Sequence, residues 1–84
     1  MELVIPDART YGINTDRPGD LSSGEMCAIV VALFVYQSPR PNKVMAIKII
    51  RRITNCELEE ARRFVDAVYE YNRVILLKEM GYHD

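Results

Sequence analysis

Two runs of helical periodicity separated by four residues constrain this chain more than any other feature. The stretch runs from Lys43 to Asp66, KVMAIKIIRRITNCELEEARRFVD. Wound at 3.6 residues per turn, its first half places Met45, Ala46, Ile49, Ile50 and Ile53 on one side and Lys43, Val44, Ile47, Lys48 and Arg51 on the other. In its second half Leu58, Ala61, Phe64, Val65, Val68 and Tyr69 share a face, with Glu59, Arg62, Arg63, Asp66 and Glu70 opposite. Glu59 with Arg63, and Arg62 with Asp66, stand at the spacing at which opposite charges meet on a helix. Thr54-Asn55-Cys56-Glu57 is the turn: Thr54 or Asn55 can cap a helix start, and asparagine tolerates a left-handed backbone. Apolar faces meeting across so short a turn predict an αα-hairpin.

The first apolar set is an ordinary core stripe. The opposite set is odd, because two β-branched apolar residues sit among three cations where the helix should be wet. An apolar centre with a basic rim is the composition of a contact patch. The alternative is that Val44 and Ile47 widen the core stripe, with the long Lys and Arg stems lying over them.

The hairpin resembles the helix-turn-helix in the C-terminal domain of the bacterial ribosomal stalk protein, whose pattern is roughly K-V-x-x-I-K-x-x-R-x-x-T-G-x-G-L-x-E-A-K-x-x-V. Lys43, Val44, Ile47, Lys48, Arg51, Thr54, Leu58, Glu60, Ala61 and Val65 match it, and Arg62 stands for the last Lys. The resemblance implies that Lys43, Val44, Ile47, Lys48, Arg51 and Arg62 form a surface that touches translational GTPase factors. It covers residues 43–66 only. The two turn glycines of the pattern are Asn55 and Glu57 here; Asn substitutes where positive φ is needed, whereas Glu would do so at a cost. Arg63 replaces an acid of the pattern.

The other segments are read from local signals. Ser22 with Glu25 three residues on forms a capping box, flanked by Leu21 and Met26 as a hydrophobic staple. The helix it opens should run to about Gln37 and stop before Pro39 and Pro41. Its body is apolar all round, so it is either central or sandwiched between chains; its need for cover suggests a homodimer. A buried strand at 28–36 is the alternative, since Ile29-Val30-Val31 and Phe34-Val35-Tyr36 are strand formers. Residues 38–42 form a rigid connector in which Asn42 caps the next helix. One helix is expected from Glu57 to about Met80, with Asn72 as a place for a break and Gly81 as its C-cap. Residues 1–21 read as an N-terminal arm and loop: a short apolar run, Leu3-Val4-Ile5, stopped by Pro6, then a turn-rich stretch from Asp7 to Asp20. Leu3, Val4, Ile5, Tyr11 and Ile13 are apolar enough to pack.

The expected fold is therefore mainly α: an N-terminal arm (residues 1–21) and a three-helix domain (residues 22–84) containing the hairpin. Its expected core is Ile29, Val30, Leu33, Phe34, Met45, Ile49, Ile50, Ile53, Leu58, Ala61, Phe64, Val65 and Val68. An 84-residue chain that is 49% hydrophobic and 27% charged makes one small globular domain.

Formal net charge is −1, so no global basic field announces nucleic acid. Residues 40–63 nevertheless hold Arg40, Lys43, Lys48, Arg51, Arg52, Arg62 and Arg63 against only Glu57, Glu59 and Glu60, which favours an acidic partner. The longest apolar run, Met26 to Tyr36, is too short to span a bilayer. Cys27 and Cys56 lack metal-ligand spacing and no signal peptide is evident. They are read as thiols of a cytoplasmic chain, with Cys27 a small core residue and a Cys27–Cys56 disulfide as the alternative.

No phosphate loop, HExxH or CxxC occurs, and His83 has no partner nucleophile. Neither catalytic residues, a metal nor a cofactor is expected. The expected function is that of a protein-binding adaptor or inhibitor docking the basic-apolar hairpin face on an acidic surface of a larger bacterial machine. A small phage or mobile-element protein acting on a host enzyme would fit the size and the hairpin. One alternative is a nucleic-acid-binding protein with Lys43, Lys48, Arg51, Arg52, Arg62 and Arg63 on phosphates. Another is a module that self-associates through residues 22–37.

Overall fold

The computed structural model describes residues 2–36, 42–79 and 81. A 3-10 turn, Ala8–Tyr11, precedes four α-helices: α1 (Ser23–Tyr36), α2 (Lys43–Thr54), α3 (Leu58–Tyr71) and α4 (Arg73–Glu79). The fold is mainly α, and no strand occurs among the described residues. Residues 28–36, where a strand was the alternative, lie within α1. The capping box explains why: Ser22 Oγ accepts from the Glu25 N–H and Glu25 Oε1 accepts from the Ser22 N–H, each at 3.2 Å. Gln37, and the connector at 38–41, lie outside the described residues.

The single helix expected from Glu57 to Met80 is divided, so the described residues form four α-helices rather than three. Asn72 is the divider, and its side chain explains the break. It is 1% exposed, and every polar atom of its carboxamide is used. Nδ2 donates to the carbonyls of Val68 and Val4, both at 2.9 Å. Oδ1 accepts from the Val4 N–H at 2.7 Å. The same amide thus ends α3 and holds both backbone groups of one residue in the N-terminal segment. Gly81 takes φ +88 and its N–H bonds the Lys78 carbonyl at 3.1 Å, closing the chain after α4 as a glycine cap does.

The segment read as an arm and loop folds back on the helices. Asp7 caps the 3-10 turn through Oδ1 to the Arg9 N–H at 3.0 Å. Gly12 closes the turn at φ +87, where a β-carbon would also run into the Glu60 carboxylate of α3. The turn buries Ala8 and Ile13 completely, while Tyr11 meets Phe64 edge-on at 6.2 Å. Ser23 Oγ accepts from the Ala8 N–H at 2.9 Å. Further on, Arg17 donates to the Thr54 carbonyl at 2.9 Å while pairing with Asp20 at 3.2 Å, placing a cation at the carbonyl end of α2.

The core lies between α1, α2 and α3, closed by the 3-10 turn and by α4. Val30, Phe34, Ile50, Ala61, Phe64, Val65 and Val68 are buried as expected, joined by Met26, Cys27, Val31, Ala46 and Leu76. Ile29, Leu33, Ile49 and Ile53 are half-buried. Met45 and Leu58 are corrections, at 42% and 54% exposed. Leu58 is the first residue of α3 and has no preceding turn to pack under. Met45 is turned outward because the buried line of α2 runs through Ala46, Ile50 and Thr54, a strict i, i+4, i+8 row. Within one chain α1 packs against the other three helices and the arm, which leaves Ala28 exposed and Ile29, Ala32, Leu33 and Val35 half-buried.

Replacing Ile50 or Phe64 with Ala should cost about 2–5 kcal/mol, read from urea denaturation, since neither site can be refilled by solvent. Asn72→Ala should cost about 2–3 kcal/mol by leaving the Val4 amide and carbonyl without partners. Hydrogen exchange at the Val4 amide should accelerate well beyond that of the α3 amides; equal acceleration throughout would mean the amide supports packing generally rather than the arm.

Candidate binding face

The hairpin that carries the predicted surface is fixed at three points. Asn42 Oδ1 accepts from the Met45 N–H at 2.9 Å and opens α2. Asn55, at φ 55 and ψ 32, closes it, with its N–H on the Arg51 carbonyl at 2.7 Å. Thr54 ends α2 rather than starting α3: it is buried and its hydroxyl donates back to the Ile50 carbonyl at 2.7 Å. The N-cap of α3 is Glu57, whose N–H is held by Glu60 Oε1 at 2.9 Å. Glu57 is extended, at φ −71 and ψ 155. The strain anticipated at this second glycine position of the stalk-like pattern is absent, because Asn55 alone supplies the left-handed residue.

These caps set which residues face outward. Val44, Lys48 and Arg51 are exposed on the outer side of α2, Val44 by 63%. Lys43 and Ile47, predicted on the same face, are turned toward α3. Ile47 is half-buried and packs on the core. Lys43 pairs with Asp66, tying the start of α2 to the second half of α3, as in two helices running in opposite directions. Arg62, one turn before Asp66, lies along that seam and is held by Glu59, Nε to Oε2 at 3.1 Å. The Arg62 hydrogen bond, with help from Arg63, keeps the Glu59 carboxyl below its ordinary range and raises the Arg62 guanidinium in turn. The six predicted residues therefore divide into an outward trio and a seam trio.

The pairing of charges divides them the same way. Among the described residues no carboxylate lies within ion-pair distance of Lys48, Arg51 or Arg52. Lys43, Arg62 and Arg63 each have one. Met45 and Arg52, both exposed, adjoin the outward trio; Met45 was missed as a candidate, and Arg52 was named only for the nucleic-acid alternative. Ala46, Ile50 and Thr54 could have revealed them. Counting the threonine as a buried residue that bonds its own helix turns the buried row away from Met45 and Arg52.

Near the seam a depression of about 280 Å³ is lined by Phe34, Lys43, Asp66 and Tyr69. Two of the lining side chains, Phe34 and Tyr69, have ring centroids 5.4 Å apart. The outward trio does not line it. Both cysteines are free; burial pushes the Cys27 thiol up, opposed by its hydrogen bond with Asn72, and Cys56 is half-buried. Among the described residues no group of three His, Cys, Asp or Glu side chains is placed to share a metal ion, and no helix is long and apolar enough to cross a membrane.

Comparison of the chain with protein-family models, with curated proteins and with solved structures found no match.

Lys43→Ala should change stability by less than about 1 kcal/mol in equilibrium denaturation, because the pair it breaks with Asp66 is wet on both sides. In the folded protein a thiol reagent should modify Cys56 well before Cys27; mass spectrometry of the peptides distinguishes them.

Proposed function

We propose that this chain acts by binding, as a non-enzymatic adaptor or inhibitor that docks the outer face of α2 on an acidic surface of a larger bacterial protein. One observation carries the reading: Val44 stands exposed beside Lys48 and Arg51, cations with no partner among the described carboxylates. An exposed β-branched residue gains by being covered, and unpaired cations around it favour a partner that brings carboxylates. Lys43, Ile47 and Arg62 flank this centre along the seam with α3. The hairpin's resemblance to the ribosomal stalk domain makes a translational GTPase one candidate partner. The small size and the hairpin suit a phage or mobile-element protein acting on a host enzyme in the bacterial cytoplasm.

The test is a pull-down from nuclease-treated bacterial lysate with the wild-type chain beside a Lys48→Glu/Arg51→Glu variant. Both side chains are exposed, so the variant should keep its helical circular dichroism and its urea midpoint to within about 0.5 kcal/mol. A protein retained by the wild type and lost by the variant is the expected result. Unfolding of the variant would make the face structural. Nucleic acid recovered only from untreated lysate, in a salt-sensitive way, would replace the protein partner with a phosphate backbone.

A further inference from the structure

If the outer face of α2 has the binding role proposed for it, its side chains also constrain the shape of the partner. Val44, Lys48 and Arg51, with Met45 and Arg52 beside them, occupy about 120° of the helix circumference and about 12 Å of its length. The two apolar side chains lie at the start of this patch, Met45 being 42% exposed, and the three unpaired cations lie one to two turns further on. Neither the depression at the seam nor a second one, between Glu2 and α4, is lined by any of these five residues.

We infer that the partner element is an amphipathic acidic helix laid along α2, and that Met45 and Arg52, rather than Lys43 and Arg62, determine its recognition. Charge complementarity requires carboxylates. Their spacing follows from Lys48 and Arg51 or Arg52, which are one turn apart and so about 5–6 Å at the β-carbons, matched by acids at i and i+4 of a second helix. The apolar end requires a hydrophobic residue one turn from those acids, on the side of Val44 and Met45. An extended segment meets the charges but not the rest. Pressed on Val44 and Met45 it would lose water from backbone groups that a helix face, with its own hydrogen bonds already made, cannot replace. A helix arrives with those groups satisfied and seats its side-chain ridges between the ridges of α2. Lys43 and Arg62 contribute little, since each is already engaged by a carboxylate of α3.

Two synthetic peptides of identical composition test this by fluorescence anisotropy on the full chain. One places Leu and Glu at i, i+4 spacing to form an amphipathic helix; the other alternates the same residues. The helical peptide should bind about tenfold more tightly, a difference of about 1.4 kcal/mol. Met45→Ser and Arg52→Glu should each weaken it several-fold, whereas Arg62→Glu should change it less than about twofold, on the general expectation that a charge already paired adds little. Equal binding of both peptides, or binding of neither, would overturn the inference, as would an Arg62→Glu loss equal to that of Arg52→Glu. If either occurs while the pull-down still names a protein lost on Lys48→Glu/Arg51→Glu, the helical partner falls and the binding function stands. If the pull-down yields no protein, the function itself has failed.

Discussion

The buried carboxamide of Asn72 joins more of this structure than any other group. A neutral polar side chain loses water when it is buried, and it is tolerated only if all its donors and acceptors are used. Here they are used by Val4 and Val68, with the Cys27 sulfur 3.9 Å away. The backbone at Asn72 is equally occupied: its N–H bonds the Val68 carbonyl and its carbonyl accepts from Leu76. A helix running straight through this position would have no reason to bury an asparagine. The break at Asn72 and the docking of the N-terminal segment are therefore one event, and α4 exists as a separate element because of it.

That event supplies what α1 lacks. A helix apolar on every side cannot sit on the surface of a small domain, and two neighbours leave part of it wet. With the segment around Val4 fastened down, the Cys27 thiol donates to the Val4 carbonyl and Ile5 lies against Gly24. α2, α3 and α4 take the remaining sides. Of the α1 side chains described, only Glu25 and Ala28 are exposed. The segment around Val4 thus adds cover to α1 beyond what the helices supply, while Ile29, Ala32, Leu33 and Val35 stay half-buried.

The hairpin shows how a small rotation reassigns surface residues. A helix can present Met45 or Ile47 to the core with little difference in apolar content. The row actually chosen, Ala46, Ile50 and Thr54, ends on a polar residue, so hydropathy alone does not select it. Thr54 becomes acceptable inside because its hydroxyl returns to the Ile50 carbonyl. Once that row is inside, Ile47 and Lys43 turn toward α3, and Met45 and Arg52 turn to water. The residues proposed to meet a partner are those left outside by this choice.

From the residues alone follow the helical class, the capping box at Ser22, the cap at Asn42, the left-handed tolerance of Asn55 (though it closes α2 rather than opening α3), and most of the buried face of α3. All are set within one or two turns of chain, where local hydrogen bonds and a 3.6-residue period dominate. The three-dimensional contacts decided the rest. Whether Asn72 breaks a helix depends on Val4, 68 residues earlier. Whether residues 2–21 pack depends on Phe64, Ser23 and Thr54. Whether Lys43 is paired depends on the Asp66 that α3 brings to it. Each of these is a contact between segments distant in sequence, and no local period encodes such a contact.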